Sequence, residues 1–150
     1  MAEPAPFQAS QRSAGIDGNV QKPAAWKFHA DDAREAVDAR ARFVQFLVGE
    51  DCDERFISVA ELIFGELLGN VVRHAPGAVE IFVDAGEDSM VLHVIDEGPP
   101  LSRAKHRLPK DVLSERGRGL FIVEQLATDV RVEQVSSRGN HLSVTMSRRL

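Results

Sequence analysis

The 150-residue chain reads as an α+β fold, a two-layer sandwich with helices on one face of a mostly antiparallel sheet. Three observations predict it. Apolar residues recur at three- and four-residue steps through the stretch 56–75, the period of a helix packed along one side. Strictly alternating runs occur in two pairs, 79–83 with 91–96 and 129–135 with 141–146, each joined by a short turn-forming linker in the manner of a hairpin. The order is strand, two helices, hairpin, loop, helix, hairpin, which favours helices layered on an antiparallel sheet over a parallel α/β arrangement.

Residues 1–25 hold three of the seven prolines among Ala, Gln, Ser and Gly. Little there can be buried to offset the entropy of ordering, so a disordered tail is expected, with the folded domain spanning 26–150. Trp26-Lys27-Phe28 alternates like a short strand. Asp31 and Asp32 then lead a helix to about Val48, ended by Gly49, with Ala33, Val37, Ala41 or Val44 and Leu47 or Val48 as its buried stripe. Arg34, Glu35, Asp38, Arg40 and Arg42 make its solvated, ion-paired face.

The next helix organises the rest. Asp53 or Asp51 can cap its start, and Pro76-Gly77 stops it. Phe56, Ala60, Ile63, Leu67 and Val71 form the apolar stripe. Glu66, Asn70 and Arg73 or His74 fall on a second stripe beside it, either an ordinary solvated face or a site where something binds. In the first hairpin Val79, Ile81 and Val83 share a face, and Leu92, Val94 and Asp96 share one in the partner strand. The linker is Ala85-Gly86-Glu87-Asp88-Ser89. A helix over Leu120–Ala127 precedes the second hairpin, whose linker is Ser136-Ser137-Arg138-Gly139-Asn140.

Composition excludes several classes. With 43% hydrophobic and 27% charged residues this is an ordinary globular composition. No apolar run approaches the roughly 18 residues needed to span a bilayer, and the N-terminus lacks a secretory pattern, so a cytoplasmic protein is expected. The single cysteine, Cys52, rules out an internal disulfide and a multi-cysteine zinc site. A net charge of −5 argues against general nucleic-acid binding. His29, His93, His106 and His141 show no ligand spacing on one element.

A loop of about 20 residues, 97–117, is long for so small a domain and suits a lid or binding loop. It contains Arg103, Lys105, His106, Arg107 and Lys110, and closes on Arg116-Gly117-Arg118-Gly119-Leu120 where the helix opens. Glycines that allow close approach, helix N–H groups and arginines together suit polyphosphate. Asp96, at the end of its strand and before Glu97-Gly98-Pro99, reads two ways: a turn-former accepting from the backbone two residues on, or a buried carboxylate accepting from an exocyclic amine, with Gly98 leaving room for a flat ring.

In this order, the helix with Glu66 and Asn70, Asp96-x-Gly98 after a strand and Gly117-x-Gly119-Leu120 after a basic loop resemble the ATP-binding domain of gyrase B, the Hsp90 chaperones, MutL and the sensor histidine kinases, the GHKL ATPases with their Bergerat-type fold. The likeness covers about 26–148. Within that family the chain is most similar to the small serine-protein kinases that act as bacterial anti-sigma factors. The resemblance implies Glu66 as general base and Asn70 as the Mg²⁺ ligand. It extends to His74-Ala75, with Arg73 beside them, and Val71 stands where an alanine is usual. Asp96 and Gly98 correspond to the adenine-reading pair, and Gly117, Gly119 and Leu120 to the phosphate turn. Arg118 lies between those glycines. Two departures stand out: Pro100 and Arg116 occupy positions where the family has glycine, and proline stiffens the chain and removes a donor.

The four-residue step from Glu66 to Asn70 puts a carboxylate one helical turn from the metal-bearing amide. Mg²⁺ keeps several waters and takes other ligands from the nucleotide, so one neutral protein ligand suffices. The implied function is a Mg-ATP-dependent serine/threonine-protein kinase that sequesters a sigma factor and phosphorylates an anti-anti-sigma protein of the STAS type. The same likeness implies a homodimer through the sheet and first helix, while the net charge and the lack of a long apolar run speak against nucleic-acid and membrane partners. The alternatives are an ATP-binding module that only sequesters partners, and the catalytic half of a split histidine kinase, against which counts the lack of a helix bearing a phospho-accepting histidine.

Overall fold

The structure, a computed structural model, describes residues 24–99, 118–135 and 139–149. In chain order its elements are β1 (Ala24–His29), α1 (Ala33–Gly49), α2 (Glu54–His74), β2 (Ala78–Ala85), β3 (Ser89–Asp96), α3 (Arg118–Leu126), β4 (Asp129–Gln134) and β5 (Asn140–Ser147). The strands make one sheet in the order β1-β2-β3-β5-β4, antiparallel at every step. The helices cover one face. This is the expected α+β two-layer sandwich, although β1 begins ahead of the expected boundary at residue 26. Residues 1–23 of the expected tail, most of the loop 97–117, and Pro100, Arg116 and Gly117 with it, lie outside the described residues.

Strand alternation sorts the sheet cleanly. Val79, Ile81 and Val83 of β2, Met90, Leu92 and Val94 of β3, and Leu142, Val144 and Met146 of β5 are all buried against the helices. Asp96 and Asn140 are in phase with these residues, so two polar side chains stand at the end of the apolar face, directly opposite each other in the β3–β5 register.

On the other side of the core, α2 buries the whole expected stripe, Phe56, Ala60, Ile63, Leu67 and Val71, together with Phe64 and Leu68. Asp53 caps it, its carboxylate accepting from the Phe56 N–H at 2.7 Å. The helix stops at Ala75, and Gly77 follows with a φ of +96°, a left-handed conformation that glycine adopts without a Cβ penalty.

α1 departs from expectation. Asp32 caps it as expected, but Val37 is 71% and Val48 60% exposed, while Ala39, Phe43 and Leu47 are buried. The aromatic decides the rotation. Phe43 stacks on Phe64 with centroids 4.3 Å apart, and Trp26 of β1 meets both rings edge-on. Burying a phenyl ring withdraws far more apolar area than burying a valine. The helix therefore turns Phe43 inward and leaves Val37 in water.

Candidate functional site

The site is built along α2, with one end held by α3 and the other by the end of β3. Glu66 and Asn70 lie one turn apart at the margin of the buried stripe, both half-buried. The first turn of α3 packs directly on Glu66. A Cβ on Gly119 would lie 2.5 Å from Glu66 Oε2 and 3.5 Å from its Cδ, so the glycine lets the α3 N-terminus and this carboxylate meet. The N-terminal end of a helix carries partial positive charge that favours an anion. Among the described residues neither the Glu66 nor the Asn70 side chain has a hydrogen-bond partner. Arg73 and His74 are exposed in the last turn, and the Arg73 guanidinium lies back along the helix, with Nη2 3.4 Å from where a Cβ on Gly69 would sit.

Leu120 is buried in the core. What it can offer a ligand is therefore its backbone N–H, while its side chain holds α3 in place. Arg118 is the first residue of α3.

At the other end, Asp96 is 6% and Asn140 2% exposed. Asp96 Oδ1 accepts from the Gly98 N–H at 2.8 Å and from Asn140 Nδ2 at 3.1 Å. The second Asn140 proton goes to the Pro99 carbonyl at 2.8 Å. Both partners are acceptors, which fixes Nδ2 and not Oδ1 of the amide on this side. The strap 96–99 is held further by Gly139 N–H donating to the Gly98 carbonyl at 3.1 Å. Glu97 reaches across the turn after α2, contacting Gly77 and accepting from the Ala78 N–H.

The turn-forming role of Asp96 is thus realised, and by one oxygen alone. Among the described residues Oδ2 has no partner, an expensive condition for a buried carboxylate unless a donor arrives from outside. The structure gives glycine at 98 a packing reason as well. A Cβ there would lie 2.7 Å from the Ala75 Cβ and 3.0 Å from its Cα. Gly98 is where the strap crosses the end of α2, close against backbone.

Asn140 escaped the sequence reading, which began the last strand at His141 and assigned Asn140 to the turn. The available signal was its phase, since Asn140, Leu142, Val144 and Met146 continue one alternation, and a polar residue at the end of such a face needs a partner.

From Glu66 to Ala75 the helix rises about 13 Å, a separation on the scale of a nucleoside triphosphate. The two ends differ chemically in the way that ligand requires. One presents a buried acceptor, Asp96 Oδ2, suited to an exocyclic amine. The other presents a helix N-terminus made approachable by Gly119, with a carboxylate and a neutral amide beside it. The residues therefore fit ATP with Mg²⁺: Asp96 for the base, Asn70 for the metal, and the start of α3 for phosphate oxygens.

These features define an α+β domain with a candidate nucleotide site. The chain belongs to the histidine kinase-like ATPase domain family, whose model matches residues 28–146. Among solved structures it is similar to the Acinetobacter baumannii histidine kinase AdeS, with 15% identity and a TM-score of 0.50 over 87% of this chain and 70% of that one. It is also similar to the catalytic domain of histidine kinase ThkA in a nucleotide-free form, with 13% identity and a TM-score of 0.50 over 83% of this chain and 98% of that one. At such identities the likeness is one of fold. No curated protein sequence matches the chain. Among the described residues no helix is long and apolar enough to cross a membrane.

Proposed function

We propose that this chain binds Mg-ATP along α2 and acts as a serine/threonine-protein kinase of the anti-sigma type, sequestering a sigma factor and phosphorylating a STAS-type antagonist. The observation that carries the nucleotide reading is the buried Asp96 carboxylate, tied through Oδ1 and open at Oδ2. The kinase subtype and both partners rest on the likeness of the helix ending in His74-Ala75 and of the element order to that group.

ATP with Mg²⁺ supplies a transferable phosphoryl group. The protein's part is positioning and charge placement. Asp96, with its Asn140 tether, would hold and orient the adenine. Asn70 would hold the metal through its neutral side-chain oxygen. Glu66, held against the α3 N-terminus, takes the proton from an acceptor hydroxyl at a carboxylate oxygen.

Calorimetric titration of ATP and ADP, with and without Mg²⁺, tests the site in the wild type and in Asn70→Ala. Magnesium-dependent ATP binding that is lost in the variant is expected, and no binding at millimolar nucleotide would overturn the reading. Transfer of labelled γ-phosphate to a serine of a STAS-domain protein, abolished in Glu66→Ala with ATP binding retained, separates the kinase from a module that only binds. Partner control that survives Glu66→Ala would favour the module.

A further inference from the structure

The outer face of the sheet, away from the helices, carries a second polar cluster that the nucleotide site does not use. His93 on β3 and His141 on β5 are diagonal neighbours across the register, which pairs His93 with Ser143 and Ile95 with His141. His93 Nδ1 and His141 Nε2 are 2.9 Å apart. His93 Nε2 lies 3.2 Å from Asp84 Oδ2 on β2, and Phe82 stacks on the His93 ring with centroids 4.2 Å apart. Ser143 Oγ is 3.3 Å from His93 Nδ1 and 3.4 Å from His141 Nε2.

The geometry distinguishes a shared proton from a shared metal. The two ring centroids are 5.2 Å apart and the facing nitrogens 2.9 Å, so the rest of that separation is little more than the two ring radii. The nitrogens therefore lie near the line joining the rings and point at each other, as in a hydrogen bond. Two lone pairs converging on a metal would meet at an angle, off that line. Among the described residues no set of three His, Cys, Asp or Glu groups is placed to hold a metal ion.

Asp84 fixes the proton inventory. Its carboxylate accepts from His93 Nε2–H, so in the neutral ring Nδ1 is the acceptor and His141 Nε2–H the donor. One proton taken from solvent can be accommodated with the bond intact: His93 then donates from Nδ1, and His141 accepts at Nε2 after its own proton moves to Nδ1. A second proton cannot, because two N–H groups and two positive charges then face each other.

We propose that the His93–His141 pair is an acid-opened latch between β3 and β5 that regulates the nucleotide site on the opposite face of the sheet. The connection is short. Asp96 and Asn140 form the last pair of the β3–β5 ladder, where fraying starts, and His141 is the residue after Asn140. The latch ties the outer face beside that end, while Asn140 ties Asp96 and Pro99 on the inner face. Opening the latch frees the ladder end that carries the Asn140 tether. Burial, and secondarily the neighbouring His93, hold His141 below the ordinary imidazole value, with Glu133 opposing. The other charged and titratable groups on this face include Lys27 of β1, paired with Glu80 of β2 at 3.4 Å, His29 of β1, paired with Asp31, and Arg131 of β4, paired with Asp129 at 2.9 Å.

The test is an NMR titration of the full chain from pH 8 to pH 5, following the imidazole signals and the Asn140 side-chain amide in the wild type and in His93→Gln. In the wild type His141 should titrate below its ordinary range, with the Asn140 amide shifting in the same window. In His93→Gln, His141 should titrate at higher pH and in one step, and the Asn140 response should disappear. An unchanged His141 titration in the variant, or an Asn140 amide indifferent to pH in the wild type, would overturn the latch. Its regulatory consequence rests on the nucleotide reading above: ATP affinity should fall about fivefold from pH 7.5 to 5.5, at the low end of ordinary site-to-site coupling, and stay flat in His93→Gln. A wild-type affinity indifferent to pH would overturn that regulation. Failure to bind ATP at any pH would instead refute the nucleotide reading, and the NMR result would still decide the latch.

Discussion

At the residue scale, Asp96 separates binding from folding. In Asp96→Asn the amide oxygen can still accept from Gly98 N–H and Asn140 Nδ2, so the strap keeps its ties, but the other atom becomes a donor facing an incoming amine. An unmatched buried donor costs about 1–3 kcal/mol, so ATP affinity should fall roughly ten- to hundredfold in calorimetry with the unfolding midpoint nearly unchanged. The glycines sort the same way. Gly98→Ala drives a methyl into the Ala75 backbone, which cannot yield cheaply, and overpacking of this kind costs about 1–3 kcal/mol. The added methyl in Gly119→Ala meets the movable end of Glu66. That variant should unfold in urea much like the wild type while losing phosphoryl transfer, and a loss of stability equal to that of Gly98→Ala would contradict the assignment. Much of this was legible in the sequence, where Asp96 already shared a face with Leu92 and Val94. The partner was not, because the pairing of Asp96 with Asn140 spans 44 positions and no local pattern encodes it.

At the scale of elements, α2 and α1 show when periodicity suffices. In α2 the large apolar residues all fall on one arc, and the expected stripe is the buried one. In α1 small and β-branched residues surround one fully buried phenyl ring, Phe43, with Phe46 only partly buried beside it, so two adjacent arcs satisfy a helical period and tertiary packing chooses between them. Phe43→Ala should therefore cost about 3–5 kcal/mol, since it empties the space between Phe64 and Trp26. Val37→Ala, at an exposed site, should stay within about 0.5 kcal/mol. Urea unfolding of the two variants decides between the arcs. Both hairpins were legible from alternation and turn chemistry. Their assembly was not: β5 pairs with both β3 and β4, and this insertion, which carries Asn140 to Asp96, depends on long-range pairing.

At the scale of the whole molecule, acid and the C-terminus both test how the layers are joined. His141 is held below its ordinary 6.5 by burial, so the unfolded chain binds more protons as pH falls through that value, and stability declines below it. Asp31 adds a loss of the same sign below its ordinary 3.8, because its bond to His29 favours the carboxylate. The urea midpoint should be lower at pH 5.5 than at 7.5, and a flat profile would contradict the His141 assignment. The seam between layers is Arg148, just beyond β5. Its guanidinium donates to the Gly86 carbonyl at 2.9 Å and the Glu50 carbonyl at 2.7 Å, and contacts Cys52 Sγ at 3.7 Å. One side chain thus ties the end of the chain to the β2–β3 turn and to the α1–α2 connection. Arg148→Ala should cost about 1.5–2 kcal/mol, the low end for charge-assisted bonds, since the Gly86 carbonyl is exposed and the Glu50 carbonyl only partly buried. Arg148→Lys should recover little of this, since an ammonium lacks the planar fork that reaches two carbonyls at once. Cys52 supplies an independent readout. Burial raises its thiol pKa, with Arg148 pulling the other way, and the net rise slows its reaction with a disulfide reagent. If Arg148 holds the seam closed, the half-buried Cys52 should react faster per thiolate in Arg148→Ala under native conditions. An equal rate per thiolate in the two proteins would place the stabilisation elsewhere, because a seam that opens must expose the sulfur, and counting per thiolate removes the effect of losing the Arg148 charge.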